Sequence, residues 1–253
     1  MKFSVIVPSF NQELFIKYTL ENLINIKQLA IQNGIAFEIL IFDSESNHKV
    51  QEIINTYRQN IDYVEIKKDL GQFDAINKGI EKSTGDYWTW LNTDDLLDVD
   101  GFFKIVDVLK SDNSIDYIYG GINYLNEDGN IVRNFNSYKL SFKFLYSHTP
   151  AIFQPGSFFK KSFSNKIGNL KSYRCCFDYE YVLRCLKNNA KLFCCNFTVS
   201  NFRFYKNSKT GSITTVFIKE QLEISKIYGR KWFHFITWFS YLRLLKHFLF
   251  PRK

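Results

Sequence analysis

Several features that define other classes of protein are missing from this sequence. Its five cysteines occur as Cys175-Cys176, Cys185 and Cys194-Cys195, an odd number without the CxxC spacing of a zinc site. We therefore expect free thiols that pack as small apolar residues in a reducing compartment. Internal repeats, low-complexity tracts and clear linkers are also missing, and the length of 253 residues suggests one large domain or one domain with an appendage.

Long uncharged hydrophobic runs are absent as well. The opening residues, MKFSVIVPSF, hold too short an apolar run for a secretory signal and reach Pro8 at once. Near the other end, Arg243 and Lys246 interrupt the aromatic segment 231–253, which makes it a poor transmembrane span. We therefore expect a cytoplasmic protein.

What the chain does have is positive charge and aromatic side chains. The formal net charge is +8, and aromatic residues make up 18% of the sequence. A basic protein suits an anionic partner, such as a nucleotide phosphate, an acidic membrane surface or a nucleic acid. No RRM, KH, zinc-finger or helix-turn-helix signature is present, so we expect no nucleic-acid partner.

The first hundred residues alternate between strand and helix patterns. Short apolar runs predict strands at residues 3–8, 37–43, 61–67 and 86–92, and helical spacing predicts helices at 11–30, 50–59 and 72–83. Asn11 is a candidate N-cap of the first helix, and Gly85 is a candidate C-terminal signal of the third. This order predicts an α/β fold with a mainly parallel, Rossmann-like sheet and right-handed crossovers.

The pattern changes after residue 100. A helix is predicted at 101–112, a hairpin that turns at Asp128-Gly129 at 115–132, a helix at 177–189 and a strand at 190–205. Residues 138–163 are basic and broken by Pro150, Pro155 and Gly156, so they are predicted to be rich in loops.

Polar side chains follow three of the four predicted parallel strands, at residues 8–11, 43–46 and 92–95. Parallel sheets bind ligands outside the carboxyl ends of their strands, so Asp43 and Asp94 are expected on the same rim. Residues such as Ser9, Asn11 and Ser46 are equally suited to capping helices and shaping loops. The pair Asp94-Asp95 favours function more strongly, because a cap needs one carboxylate and not two.

The C-terminal segment predicts a helix with two unlike faces. His234, Thr237, Ser240 and His247 fall roughly on one face, while the apolar residues lie elsewhere: Trp232, Phe235, Phe239, Leu242 and Leu249. Such a helix can lie in a membrane interface, with its cations on anionic head groups. Alternatively, it packs its apolar face on the domain or on a second subunit.

Four segments, in order, resemble those of family 2 glycosyltransferases: SVIVPSFNQ, DSES, DLGQFDAINKGIEKSTGDYWTWLNTDD and FDYEYVLR. The resemblance runs from about residue 3 to residue 210. It implies an inverting enzyme with the GT-A fold that uses a nucleotide-sugar donor, commonly UDP-linked, for hexosyl or N-acetylhexosaminyl transfer. It also implies a glycosyltransferase domain at 1–212, with a nucleotide-binding half at 1–98 and an acceptor half at 99–212, followed by a helical tail at 213–253.

The resemblance also implies roles for individual residues. Asp178 falls on the position of the catalytic base, and Asp94 and Asp95 fall on the DxD-type motif that holds Mn²⁺ or Mg²⁺. The donor would be bound by Pro8, Ser9, Asn11, Asp43, Glu45, Gly71, Gln72, Asp74, Asn77, Asn92 and Asp94. Such a metal is a hard cation that takes one or two carboxylates plus phosphate oxygens. A second carboxylate, on the far side of the sugar, removes the proton of the attacking hydroxyl.

Three positions depart from the family pattern. Asn92 stands where a first Asp is common, Leu70 where a basic residue is common, and Tyr205 where a His is common. If that His holds the diphosphate, Tyr205, Lys206 or Lys209 must substitute for it. The usual ending of the segment is matched by Ser208-Lys209-Thr210. The sequence thus favours a sugar transferase at the inner face of the cell membrane, in surface polysaccharide or lipid-linked glycan synthesis. The alternative is a non-catalytic nucleotide-sugar-binding subunit of a glycan-assembly complex.

Overall fold

The protein is described here by a computed structural model that covers residues 1–148, 152–205 and 214–249. In the first half, four parallel strands lie in the order β3-β2-β1-β4. They are β1 (Lys2–Ser9), β2 (Ala36–Asp43), β3 (Tyr63–Ile66) and β4 (Tyr87–Trp90). All four strands were predicted, and the parallel arrangement of this half is confirmed.

The second half extends the same sheet with mainly antiparallel pairs, in the order β4-β8-β6-β9-β5, with β7 beside β6. Its strands are β5 (Leu96–Leu97), β6 (Tyr117–Leu125), β7 (Ile131–Phe135), β8 (Ser157–Lys160) and β9 (Leu192–Arg203). The hairpin predicted at Asp128-Gly129 is the antiparallel pair of β6 and β7. The segment predicted to be loop-rich supplies β8, which lies between β4 and β6.

Within the described segments, nine α-helices surround the sheet. They are α1 (Ile16–Gln32), α2 (His48–Thr56), α3 (Gln72–Lys82), α4 (Val99–Ser111), α5 (Phe142–His148), α6 (Lys161–Ile167), α7 (Phe177–Lys187), α8 (Thr214–Ile227) and α9 (Phe235–Leu249).

The sheet buries apolar side chains on both of its faces. Along β1, Phe3, Val5 and Val7 join one core cluster with α1, α2 and α4, whereas Ile6 joins the other with α3, α7 and α8. This alternation follows from the two-residue period of a strand. Burial of each such side chain contributes roughly 1.5–3 kcal/mol, which makes the sheet a firm support for the loops at its carboxyl edge.

The prediction that Asn11 caps the first helix is wrong. Helix α1 begins at Ile16, with Phe15 in the cap position and no side-chain cap. Asn11 has a φ of 50°, and its Oδ1 accepts a 2.9 Å hydrogen bond from the backbone N–H of Asn47. It therefore ties together the loops that follow β1 and β2 instead of starting a helix.

The prediction for the end of the third helix is also corrected. Helix α3 ends at Lys82 with Ser83 as its cap residue, while Gly85 lies against β1, where an added Cβ would come within 2.4 Å of Ser4 Oγ. Close backbone approach explains Gly85 better than helix termination does.

Helices α8 and α9 behave differently from each other. Ile224 and Ser225 of α8 are fully buried, so this helix packs on the body of the protein. In α9, Thr237 is 2% exposed, whereas Phe235, Phe239 and Leu242 are between 59% and 67% exposed. The alternative in which this helix packs its apolar face on its own domain is therefore wrong. The side chains of His247 and Leu249 lie outside the described part. Among the described residues, no helix is long and apolar enough to cross a membrane.

One buried carboxylate at the amino edge of the sheet gives a test of stability. Glu38 lies 2.6 Å from Lys2 Nζ and accepts hydrogen bonds from Ser4 and Thr84. Burial alone would raise the pKa of Glu38, but these partners lower it from 4.5 to about 2. A lowered pKa stabilises the folded state above the unfolded pKa, and that contribution is lost as the pH falls towards 2.

We expect Glu38→Gln to lower the free energy of unfolding by about 2–4 kcal/mol at neutral pH. Urea unfolding of both proteins measures the difference, which should shrink steadily between pH 4.5 and pH 2 because the native carboxylate becomes protonated there. A difference that does not depend on pH would contradict this account of Glu38.

Candidate active site

The carboxyl ends of β1, β2 and β4 open into a cleft of about 850 Å³. The loops after these strands and the start of α3 form its walls. The residues predicted to bind a nucleotide sugar that line this cleft are Pro8, Ser9, Glu45, Gly71, Gln72, Asn92 and Asp94. The structure thus brings together side chains from four separate sequence segments.

Four other predicted donor residues lie outside this lining: Asn11, Asp43, Asp74 and Asn77. Asp43 is 1% exposed and accepts two hydrogen bonds from Ser46, at 2.5 and 2.8 Å. The side-chain amide of Asn77 donates to the backbone carbonyl of Leu170 and accepts from its backbone N–H. Asp74 accepts from the N–H of Leu70 and lies 3.1 Å from Lys78 Nζ. These residues shape the loops around the cleft.

The two adjacent carboxylates after β4 have different surroundings. Asp94 lines the cleft, whereas Asp95 is fully buried. Asp95 Oδ1 accepts from the backbone N–H of Arg203 at 3.1 Å, and its Oδ2 accepts from Asn92 Nδ2 at 3.0 Å. The prediction that Asp95 serves as a metal ligand does not fit this environment, since both of its oxygens are engaged and neither reaches the cleft.

Burial makes ionisation of this pair unfavourable. It raises the pKa of Asp95 well above its ordinary value, and the neighbouring charge of Asp94 raises it further. The pKa of Asp94 is also raised by burial, although a hydrogen bond from Tyr205 and the charge of Arg203 act in the opposite direction. A cation in the cleft beside Asp94 would relieve this penalty.

Tyr205 completes the surroundings of Asp94. Its phenol donates to Asp94 Oδ2 at 3.1 Å and accepts from Gln12 Nε2 at 2.6 Å, while its ring packs against Phe15. Burial, followed by the charge of Asp94, raises the pKa of Tyr205 to about 12. The phenol is therefore a neutral donor at physiological pH and fixes one oxygen of Asp94. Lys206, Ser208, Lys209 and Thr210 lie outside the described residues.

Positive potential in the cleft comes from side chains that the sequence analysis did not select. Lys68 is part of the lining, whereas Leu70 is 83% exposed and is not. Arg203 is nearly buried and donates to the backbone carbonyl of Asp94. Gly71, with a φ of 125°, opens α3 at the cleft wall, and a helix N-terminus favours anions. In the sequence, the pair Lys67-Lys68 directly before Asp69 could have identified Lys68 as a source of positive charge.

A smaller cavity of about 240 Å³ adjoins the cleft and contains Asp178. The two spaces share Gln72, Asn92 and Phe202 in their linings. Gln72 Nε2 donates to Asn92 Oδ1 at 2.5 Å, so these two side chains form a wall between Asp94 on one side and Asp178 on the other. Most of the smaller cavity is apolar or aromatic, and its lining includes Trp90, Tyr124, Phe153 and Phe177.

The helix that carries Asp178 is held at its start by a distant residue. Glu220 of α8 accepts backbone N–H bonds from Arg174, Cys175 and Cys176, at 2.7, 2.9 and 3.0 Å. Asp178 Oδ1 accepts from the N–H of Tyr179 in the first turn of α7. The role of Glu220 could not be predicted from local sequence, because its partners lie 44 to 46 residues earlier in the chain.

Asp94 offers a carboxylate to a divalent cation in the cleft, whose lining also includes the carboxylates of Glu45 and Asp69. No group of three His, Cys, Asp or Glu side chains suited to a metal occurs in the part of the chain that the structure describes. A hard cation beside Asp94 would therefore take its remaining ligands from phosphate oxygens and water.

The sequence model for "Glycosyl transferase family 2" matches residues 4–168 of the chain. The chain belongs to glycosyl transferase family 2. An uncharacterized glycosyltransferase of Methanocaldococcus jannaschii is 25% identical over 198 residues, which is 74% of this chain and 66% of that protein. The family predicted from the sequence motifs is therefore confirmed, and the chain spans about two thirds of this archaeal relative.

Solved structures of glycosyltransferases share its fold. The chain aligns over 100% of its length with 74% of S. aureus TarS 1–349 in complex with UDP-GlcNAc, with a TM-score of 0.68 and 16% identity. It aligns over 99% with 72% of the mannosyltransferase PcManGT of Pyrobaculum calidifontis in complex with GDP-Man and Mn²⁺, with a TM-score of 0.65 and 14% identity. This family 2 protein therefore has the predicted GT-A fold, a Rossmann-like sheet with flanking helices.

The unequal surroundings of the two carboxylates predict unequal effects of substitution. We expect Asp95→Ala to lower the free energy of unfolding by about 2–4 kcal/mol, because it leaves two buried donors without an acceptor. Asp94→Asn should change stability by less than about 0.5 kcal/mol, since it removes a charge that burial disfavours. Denaturant unfolding of the two variants measures both effects. A larger loss in Asp94→Asn would contradict the roles assigned here.

Proposed function

We propose that this protein is an inverting glycosyltransferase that moves a sugar from a nucleotide-sugar donor to a hydroxyl group of a glycan or lipid-linked acceptor. The observation that carries this proposal is the placement of Asp94 and Asp178 in adjoining cavities, on either side of the Gln72–Asn92 pair. One carboxylate can thus serve the leaving diphosphate and the other the incoming hydroxyl. Inversion follows when the two act from opposite sides of the sugar.

The larger cleft would hold the donor nucleotide. Its lining from Pro8, Ser9 and Glu45 is suited to the base and ribose, and Lys68 with the start of α3 is suited to the diphosphate. TarS was crystallised with UDP-GlcNAc and PcManGT with GDP-Man, which supports a nucleotide-linked hexose or N-acetylhexosamine here. We propose a UDP-linked donor, as the motifs suggest.

Asp94 would hold Mn²⁺ or Mg²⁺ together with the donor phosphates. When bound there, such an ion would supply Lewis-acid chemistry that neutralises charge on the departing diphosphate. Tyr205 keeps one oxygen of Asp94 in place through its hydrogen bond, and Gln12 in turn holds the phenol. The phenol therefore acts on Asp94, from the position at which a His is common in the family pattern.

Asp178 would remove the proton from the acceptor hydroxyl as its oxygen attacks the anomeric carbon. Glu220 fixes the start of the helix that carries this carboxylate. The apolar and aromatic lining of the smaller cavity excludes water, which favours transfer to an acceptor over hydrolysis. The alternative, a nucleotide-sugar-binding subunit without turnover, is less well supported because it gives Asp178 no task.

Turnover is tested by incubating the protein with Mn²⁺ and a panel of nucleotide sugars, with and without an acceptor extract. We expect metal-dependent release of nucleoside diphosphate. Asp178→Asn should lower that rate by about 10²–10⁴-fold while donor binding stays unchanged, as expected for the loss of a general base. Donor binding by calorimetry separates the two effects.

Asp107→Asn is the matched control, since it removes the same charge from α4, outside the linings of both cavities. Full activity of Asp178→Asn would refute the role of Asp178. Donor binding without turnover in the unchanged protein, across the whole panel, would support the non-catalytic alternative instead.

We also propose that residues 1–212 form the glycosyltransferase domain, and that the tail at 213–253 attaches the protein peripherally to an anionic membrane at its cytoplasmic face. Support comes from the outward-facing aromatic surface of α9 and its approach, formed by Trp232, Phe233, Phe235, Trp238 and Phe239, each at least 55% exposed. Lys231 and Arg243 flank this surface with positive charge. Such a face suits the boundary between head groups and acyl chains. A site of synthesis for surface polysaccharide or lipid-linked glycan would follow.

The membrane proposal predicts that replacing Phe235, Trp238 and Phe239 together by serine weakens binding to anionic liposomes by at least about tenfold, because most of the inserted apolar area is lost. Liposome co-sedimentation at low salt measures this change. Ile131→Ser with Val132→Ser is the control, since these residues are equally exposed on β7. Unchanged binding of the triple variant would favour contact with a second subunit.

A further inference from the structure

A buried arginine without a partner lies between the catalytic body and the outward-facing aromatic surface. Arg230 follows α8 and is only 4% exposed. Its Nε, Nη1 and Nη2 atoms are all buried and make no hydrogen bond within the part of the chain that the structure describes. A guanidinium stays charged at any physiological pH, and burial of such a charge without a counter-charge is strongly unfavourable. This arrangement therefore indicates that the guanidinium serves to bind an anion.

No carboxylate side chain of the chain meets this need. Every Asp and Glu of the sequence lies in the described ranges, because residues 149–151, 206–213 and 250–253 contain none. Within those ranges, the ion pairs formed by arginine and lysine do not include Arg230. The polar groups that act on its charge are the phenols of Tyr179 and Tyr241. No side-chain carboxylate therefore pairs with this guanidinium among the described residues, which leaves it able to bind an anion from another molecule.

The surroundings of Arg230 are suited to an anion. Burial lowers the pKa of His234, and the charges of Arg230 and His148 lower it further. The rings of the two histidines lie 6.2 Å apart, centroid to centroid. Helix α9 begins directly after His234, and the N–H groups of Ile236 and Thr237 in its first turn donate to His234. The lowered pKa favours the neutral form of His234, and a neutral imidazole still carries one N–H that can donate to an anion.

Two neighbouring features indicate what carries the anion. Two exposed residues of the aromatic surface follow Arg230 closely along the chain. They are Trp232 and Phe233, which are 67% and 60% exposed. On the other side, Tyr179 is both a neighbour of Arg230 and part of the lining of the cavity that contains Asp178. The ligand therefore combines a negative group with an apolar body that lies along α9.

We propose that Arg230 binds the phosphate of a lipid whose apolar chain lies against the aromatic surface of α9. Arginine matches phosphate through paired N–H donors, and the aromatic side chains supply the apolar contact. Two sources share this chemistry: an anionic phospholipid of the bilayer, and a lipid phosphate that carries the sugar acceptor. The proposal rests on the peripheral membrane association proposed above, but not on sugar transfer.

Binding is tested with the full chain and three probes: phosphatidylglycerol vesicles, phosphatidylcholine vesicles that contain a polyprenyl phosphate, and inorganic phosphate. We expect Arg230→Gln to weaken binding to at least one of the two lipid phosphates by about tenfold or more. Arg230→Lys should retain part of it. Lys110→Gln is the matched control, because it removes the same charge from an exposed position on α4 and should have a much smaller effect.

The pattern across the probes decides the outcome. Loss with phosphatidylglycerol assigns the site to bilayer lipid, and loss confined to the polyprenyl phosphate assigns it to the acceptor. Equal binding of Arg230→Gln and the unchanged protein to both lipids would overturn the proposal. Dependence on Arg230 with inorganic phosphate alone would overturn the lipid assignment. Donor binding, measured in parallel, shows separately whether the proposed transferase function fails.

Thermal unfolding without lipid provides an independent test. Because the guanidinium has no hydrogen-bond partner among the described residues, Arg230→Met should leave the melting temperature unchanged or raise it. Saturating lipid phosphate should stabilise the unchanged protein and not this variant. A melting temperature several degrees lower in Arg230→Met without lipid would show that Arg230 has a structural partner, and would contradict the proposal.

Discussion

The buried carboxylate of Asp95 is the constraint on which the arrangement of the site depends. It binds the backbone N–H of Arg203 at the end of β9 and the side chain of Asn92 after β4. Its own backbone carbonyl accepts from Thr19 of α1. Three distant segments are therefore joined at one residue, and Asp94 is displayed in the cleft as a consequence. Tyr205 reaches Asp94 because Arg203, two residues earlier, is fixed there.

The same connections give a physical reason for Asn92, where many relatives have Asp. Its amide donates to Asp95 and accepts from Gln72 at the same time. A carboxylate at this position could not donate to Asp95, and it would add a third negative charge beside two carboxylates whose ionisation burial already disfavours. Asn92 is therefore suited to this site, and its presence does not argue against activity.

Features that depend on neighbouring residues were predictable from the sequence, and features that depend on distant ones were not. The four parallel strands and α7 followed from local apolar patterns, and the motif around Asp94 identified the rim of the sheet. Strand β8 was missed because it is short and lies between proline-rich turns and a basic segment. The burial of Asp95, the use of Asn77 on Leu170 and the isolation of Arg230 all arise from contacts across the fold. Local periodicity carries no information about such contacts.

The hydrogen bonds that join Glu220 to the start of α7 affect the order in which parts of the protein can fold during synthesis. The carboxylate lies 44 residues after Cys176, one of the residues whose N–H it accepts. Since a chain emerges from the ribosome in sequence order, the sheet and the cleft can form before Glu220 has been synthesised. The surroundings of Asp178 are then completed last. A nascent chain can therefore form the cleft around Asp94 before the start of the helix that carries Asp178 is fixed.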